Sequence, residues 1–220
     1  MSATKKAQAE QHSLTSQVGG ARGRGRPRHD IDLGAVADAV AQLFAEGGFE
    51  AVTIPSTAER LSVSRATLYR TVPTKEDLLG ILFERSMTEL VQHARAVVEE
   101  HEGIREQLYG LIRVHIDAAI RMRHYMPVFF GGAGLPPEVF DRWHGLSRAY
   151  EKIWCDTVEF AMTDGVLERS DPVVTTRLLL GMCIWVSRWY RPEEKHSAEE
   201  IAEAAIRLLH FHGGTSAEHR

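Results

Sequence analysis

From Asp30 to the end of the chain the apolar residues recur every three or four positions, and no stretch alternates apolar with polar as a half-buried strand does. That periodicity confines the fold to helices packed on helices and predicts an all-α protein. Glycine and proline divide it. Gly47-Gly48, Pro73, Gly103, Pro127, the loop Gly131-Gly132-Ala133-Gly134, Asp164-Gly165, Pro172 and Pro192 mark breaks between helices expected at about 32–46, 54–61, 64–70, 74–100, 103–123, 127–131, 136–164, 171–190 and 197–212. Thr53, Ser64, Thr74 with Asp77, and Ser197 with Glu200 stand where helix N-caps belong.

Charge is spread unevenly. The chain holds 26 Lys and Arg against 30 Asp and Glu. Residues 1–29 nevertheless carry Lys5, Lys6, Arg22, Arg24, Arg26 and Arg28 against Glu10 alone, a balance of +5. The whole sums to −4, so the remainder stands at −9. The first 29 residues are rich in Gln, Ser, Thr and Gly and nearly free of large apolar side chains, so they cannot bury enough surface to offset ordering and are expected to be a disordered basic arm. No apolar run approaches a membrane span, and Lys5-Lys6 is followed by no signal-peptide core. Cys155 and Cys183 lie in apolar helical patterns and read as free thiols in a reducing cytoplasm.

The segment TAERLSVSRATLYR, Thr57 to Arg70, reads as a helix, a tight turn and a short second helix, the arrangement of a helix-turn-helix. Ala58, Leu61, Val63 and Leu68 can pack the pair, which leaves Ser64, Arg65, Thr67, Tyr69 and Arg70 facing outward or at the edge. Arginine suits a guanine edge, threonine a thymine methyl, and tyrosine and serine hydroxyls suit phosphates. Thr53, at the start of the preceding helix, completes the candidate DNA-facing set. Arginines spaced by small residues, as in GRGRPR, can lie along a narrow A·T-rich minor groove; the competing reading is a solubilising tail.

From about residue 30 to 83 the chain resembles the DNA-binding domain of TetR-family repressors, through AVAQLFAEGGFEAVTI, AERLSVSRATLYR and PTKEDLL. The resemblance implies that the third helix is the recognition helix, that Lys75 meets a phosphate and that Tyr69 contacts the DNA backbone. It also implies a homodimer through the last two helices, at about 171–190 and 197–212. The chain departs from the family at Val72, where an aromatic is usual, and around Arg70 and Thr71, where a His or Tyr is usual. A two-fold dimer reads two half-sites, so the partner is expected to be double-stranded DNA with a palindromic operator. The expected organisation is 1–29 arm, 30–75 helix-turn-helix domain, 76–212 ligand-binding and dimerisation domain, and 213–220 flexible tail.

All four tryptophans fall on two of the expected helices. Trp143, Ser147, Tyr150 and Trp154 make one stripe; Leu178, Met182, Trp185 and Trp189 make another. Such stripes serve equally as core or as the wall of an apolar pocket. With Phe129 and Arg188 they form the candidate effector site. The run GMCIWVSRWYRPEE followed by S-x-E-E-I, and LPPEVFDRWHGLSRAYEKIW before it, resemble the C-terminal domain of TetR regulators of steroid and fatty-acid catabolism. That resemblance implies an acyl-CoA effector, although Ile184 stands where that subgroup often has Asn. Arg148, Lys152, Arg188 and Arg191 are cations that a nucleotide end would require, whereas a drug-like hydrophobic compound would need none. The 11 histidines fall in no zinc-binding spacing, and no nucleophile or phosphate-loop motif is present, so the sequence implies neither an enzyme, nor a metal site, nor a cofactor. A ligand-independent architectural DNA binder is one rival, and the large aromatic-bearing C-terminal half speaks against it; the closest alternative is a repressor of efflux genes that responds to a drug-like hydrophobic compound.

Overall fold

The computed structural model describes residues 31–126 and 137–209. Among them every regular element is a helix: α1 Leu33–Ala51, α2 Ile54–Arg60, α3 Arg65–Thr71, α4 Lys75–Glu100, α5 Ile104–Met122, α6 Pro137–Thr163, α7 Pro172–Trp189 and α8 Ala198–Leu209. The all-α class is as expected. The short helix expected at 127–131, the arm and the tail lie outside the described residues. Among the described residues no helix is long and apolar enough to cross a membrane.

Caps set the boundaries in the first third. Asp32, Thr53 and Ser64 each accept a backbone N–H from the first turn that follows, and Thr74 and Asp77 close a reciprocal capping box at the head of α4. Ser64 is therefore the cap of α3 and stands outside it. The diglycine ends the regular helix as expected: Gly47 and Gly48 leave helical geometry, Gly48 at φ 66°, and one more turn follows beyond the kink to Ala51. A side chain at Gly48 would be strained in that left-handed region.

α1, α2 and α3 pack around Val36, Val40, Phe44, Ala58, Leu68 and Val72, and α4 closes this core with Leu78, Leu79, Leu82 and Phe83. The Val72 departure is thus a fully buried packing position. Arg60 clamps α2 to α1, donating from both terminal nitrogens to Glu46 and also to Gln42. α4 then runs on into a helical body, where it packs against α5 and α6, while α5 also lies against α7 and α8. Arg113 on α5 pairs with Glu199 and Glu203 of α8, and Arg142 on α6 with Glu84 of α4. Cys155 and Cys183 are free thiols.

Candidate functional site

The first candidate surface is α3. Buried Leu68 and Val72 fix its inner side, and helical spacing then turns Ser64, Arg65, Tyr69 and Arg70 outward, where all four are exposed. Arg65, Tyr69 and Arg70 form no hydrogen bond or ion pair with other described residues, so two guanidinium groups and a phenol are open to an incoming partner. Ser64 and Thr67 are engaged locally, hydroxyl to hydroxyl at 2.7 Å, and Thr67 is only half-exposed. The turn before α3 is built on Ser62, which sits at φ 53°, the only positive-φ residue other than glycine among those described. Val63 N–H closes that turn onto the Ala58 carbonyl at 3.0 Å.

The flanking candidates are more committed. The Thr53 hydroxyl caps α2 and bonds the Ser56 hydroxyl at 2.7 Å. Lys75 donates from Nζ to the Phe49 carbonyl at 2.7 Å, and the same ammonium lies 3.6 Å from the centre of the Phe49 ring. Its remaining donors are left for another acceptor. Arg22, Arg24, Arg26 and Arg28 lie outside the described residues.

The second candidate is a chamber of about 390 Å³ among α4, α5, α6 and α7. Its wall is almost wholly apolar: Met87 and Leu90 from α4, Ala118, Ala119 and Met122 from α5, Leu180 and Ile184 from α7, with Met126 and Trp143. Polar groups are few. His115 meets the Tyr150 hydroxyl through Nδ1 at 2.8 Å, and the two rings stack. The Leu180 backbone approaches His115, yet Nε2 completes no hydrogen bond. Burial drives the His115 pKa down to about 4 and pushes that of the Tyr150 phenol upward, so both are neutral near pH 7. Ser147 adds a hydroxyl, and Glu151 and Arg177 complete the lining with an ion pair between α6 and α7. A larger open groove of about 770 Å³ by the α4–α5 turn is flanked by Glu99, Glu102, Asp156 and Asp164 and contains no sequence-predicted site residue.

The expected aromatic site divides in two. Trp143, Ser147 and Tyr150 reach the chamber as predicted from their stripe. Trp154 does not line it: fully buried, it stands edge-on behind His115, with Nε1 near the Tyr150 hydroxyl but not bonded to it. Met182, Trp185 and Trp189 lie on the opposite side of α7, in a groove of about 610 Å³ between α7 and α8. Trp185 is 62% exposed, Leu178 69%, Leu208 60% and Trp189 41%. The cause is the helical turn of about 100° per residue: positions 180 and 184 face inward, so 178, 182, 185 and 189 face out. Arg188 is exposed and lines neither space. Gly181 borders both spaces. Phe129 lies outside the described residues. Sequence reasoning missed His115, Glu151 and Arg177. The available signal was His115 in register with Leu108, Leu111, Ile112 and Ala119 on the apolar face of α5.

Among the described residues no group of three or more His, Cys, Asp or Glu could hold a metal ion. Burial raises the Cys183 thiol to about 12, which keeps it protonated and unreactive.

A short third helix with an open outer face on a capped three-helix unit, followed by a helical body with an apolar chamber, is matched by two family models. Residues 36–80 match bacterial regulatory proteins of the tetR family, and residues 101–210 match the Tetracyclin repressor-like C-terminal domain. The chain belongs to the TetR family. It is similar to the HTH-type transcriptional repressor KstR2 of Mycobacterium tuberculosis, 23% identical over 182 residues that span 80% of this chain and 90% of the relative. Among solved structures it resembles a TetR/AcrR-family transcriptional regulator from Thermobifida fusca, with TM-score 0.70, 27% identity and coverage of 84% of this chain and 98% of that one. AibR in complex with isovaleryl coenzyme A and operator DNA shares the fold at TM-score 0.69 and 22% identity, over 80% of this chain and 97% of that one. This TetR-family regulator therefore combines a DNA-binding unit with a helical C-terminal domain.

Proposed function

We propose that this regulator represses transcription in the cytoplasm by binding a palindromic operator as a homodimer, and that a small hydrophobic effector, an acyl-CoA thioester, releases it. The observation that carries this reading is the placement of the chamber on α4. Leu78, Leu79, Leu82 and Phe83 of that helix root the DNA-binding unit, and Met87 and Leu90, one and two turns on, line the cavity. Tyr125 supplies a second link. Its ring lies 5.9 Å from Phe44 of α1 and 6.2 Å from Phe83, its hydroxyl meets Ser86 at 3.0 Å, and its neighbours Met122 and Met126 line the chamber. A ligand that fills the chamber bears on groups that hold α1 and α4 together, and so favours one spacing of the recognition helices over another.

In this proposal Ser64, Arg65, Thr67, Tyr69 and Arg70 enter the major groove, while Thr53, Lys75 and the arm arginines hold the DNA backbone and minor groove. The domains follow the expected division, with DNA binding over 30–75, effector binding and dimerisation over 76–212, and the arm and tail outside them. The face of α7 and α8 exposes four large apolar side chains, Leu178, Trp185, Trp189 and Leu208, and this supports a second copy as its cover. The acyl-CoA assignment draws on the apolar chamber, on the KstR2 likeness and on the isovaleryl coenzyme A bound by AibR.

Fluorescence anisotropy on DNA from upstream of the regulator's own gene tests the scheme, with CoA thioesters of fatty and steroid acids titrated in and free acids and CoA as controls. Release by thioesters alone is the expected result. Tight binding unmoved by all of them would overturn the effector assignment in favour of a drug-like compound. Trp185→Glu on the outer face is expected to give a monomer by light scattering and to weaken operator binding about a hundredfold, the loss of a linked second contact.

A further inference from the structure

The apolar chamber has a neighbour. A cleft of about 340 Å³ lies beside it along α6 and α7, and Glu151 and Arg177 line both spaces. Arg177 Nε donates to Glu151 Oε1 at 2.7 Å, and this pair stands between the two. With the Arg177 side chain 69% exposed and that of Glu151 34%, water screens the pair and holds it only weakly closed.

The cleft has a chemistry that the chamber lacks. Arg148, Lys152 and Arg177 face it against Glu151 and Asp156. The Lys152 ammonium is spent on both oxygens of Asp156, at 2.9 and 2.8 Å. Arg148 has no hydrogen bond or ion pair with a described residue. Thr176 also lines the cleft; it is fully buried, and its Oγ1 has no hydrogen-bond partner. A buried hydroxyl without a partner is costly in a finished structure, and it marks a place where a ligand oxygen is accepted. One unpaired guanidinium, a second held by a replaceable carboxylate and an unspent hydroxyl together suit an anion. They adjoin a chamber that suits hydrocarbon.

We propose that chamber and cleft are two halves of one amphipathic effector site, and that the anionic group of the effector displaces Glu151 from Arg177, with Arg148 and Thr176 Oγ1 as its further partners. The apolar part then lies among Leu90, Ala119, Trp143 and Ile184. The exchange breaks one ion pair and forms another, so the arginine stays paired while Glu151 turns to solvent. This inference rests on the chamber being the effector site and specifies its outer end. A carboxylate and a phosphorylated nucleotide offer the same chemistry to Arg177, and the test separates them.

The test is isothermal titration calorimetry on the full chain. Butyryl-, octanoyl-, dodecanoyl- and cholyl-CoA, the matching free acids and their neutral methyl esters serve as probes. For whichever anionic probe binds best, Arg177→Gln is expected to weaken binding about tenfold, the loss of a charge-assisted bond. Thr176→Val, which keeps the shape and removes the hydroxyl, weakens it several-fold. Glu151→Gln, which removes the competitor, tightens it several-fold. Methyl esters bind all four proteins alike. Thioester preference over free acid identifies the nucleotide as the anion; free-acid preference over thioester identifies the carboxylate. Variants that move esters and anions together, or neither, overturn the proposal. A wild type that releases DNA with a thioester while Arg177→Gln behaves identically overturns this inference and leaves the effector reading standing. Arg177-dependent binding without DNA release does the reverse. No binding by any anionic probe overturns both.

Discussion

In the DNA-binding unit each helix starts on a side chain that satisfies it: Asp32 on Gly34 N–H at 2.9 Å, Thr53 on Ser56 at 3.1 Å, Ser64 on Thr67 at 3.0 Å and Thr74 on Asp77 at 3.0 Å. The body around the chamber has capped helices too, α7 by Asp171 and α8 by Ser197 with Glu200. Its interior differs. His115 Nε2, Trp154 Nε1 and Thr176 Oγ1 are buried without hydrogen-bond partners, and all three belong to α5, α6 and α7. Among the described residues the helix-turn-helix unit is finished before it binds, and its own helices have little ordering left to do. The body is left incomplete, with space and unspent donors, so a ligand has something to add.

The largest test of that contrast is a deletion in the finished part. Leu68 is fully buried in the core of this unit, and Leu68→Ala should cost about 2–5 kcal/mol of stability in urea unfolding, with loss of operator binding. A loss below about 1 kcal/mol would mean that this unit packs more loosely than described.

The next test uses acid. His115 has its folded pKa depressed, from the usual 6.5 to about 4, so the unfolded chain takes up a proton before the folded one does. Its contribution to stability is whole above about pH 6.5 and is lost as pH falls through 4. The loss reaches about 3 kcal/mol in full and about 1 kcal/mol between pH 7 and 5.5. His115→Asn should remove that part of the pH dependence, and an unchanged slope would show that the ring is hydrated in the folded state.

A matched pair of enlargements compares the regions directly. Ala58, in the α1–α3 core, and Ala119, on the chamber wall, are both buried. Ala58→Leu overpacks and should cost about 1–3 kcal/mol. Ala119→Leu fills empty space and should gain about 0.5–2 kcal/mol while excluding the effector. Equal losses at the two positions would erase the distinction.

The smallest expected effect lies at the one backbone position where the finished unit is strained. Ser62→Gly should stabilise by about 1 kcal/mol, because glycine occupies the left-handed region freely. Thermal denaturation would read it as a rise of a few degrees.

The helix-turn-helix was legible because its signals are local. Cap residues, a two-residue turn and the spacing of Ala58 and Leu68 act within a few positions of one another. Both the order and the approximate ends of the helices follow from proline and glycine for the same reason. The effector site was legible only in part. Trp143, Ser147 and Tyr150 share one helix, and their stripe faces the chamber. α7 is apolar on two faces, Leu180 and Ile184 on one, Leu178 and Trp185 on the other, and a periodicity present twice does not say which face turns inward. The tryptophans drew attention to the outer one. Glu151 and Arg177 were hidden for a further reason: their pairing joins two helices and exists only once α6 and α7 are packed.

Gly181 has no side chain, and it borders both the chamber and the outer groove. At that point the partition between the chamber and the outer groove is the thickness of a peptide chain. In a dimer closed through the outer face, each chamber abuts the seam that the other subunit shares, so occupancy of the first alters the seam that the second must fit. The two sites then do not titrate as independent ones, and the binding isotherm of the dimer departs from a simple hyperbola, with a Hill coefficient different from one.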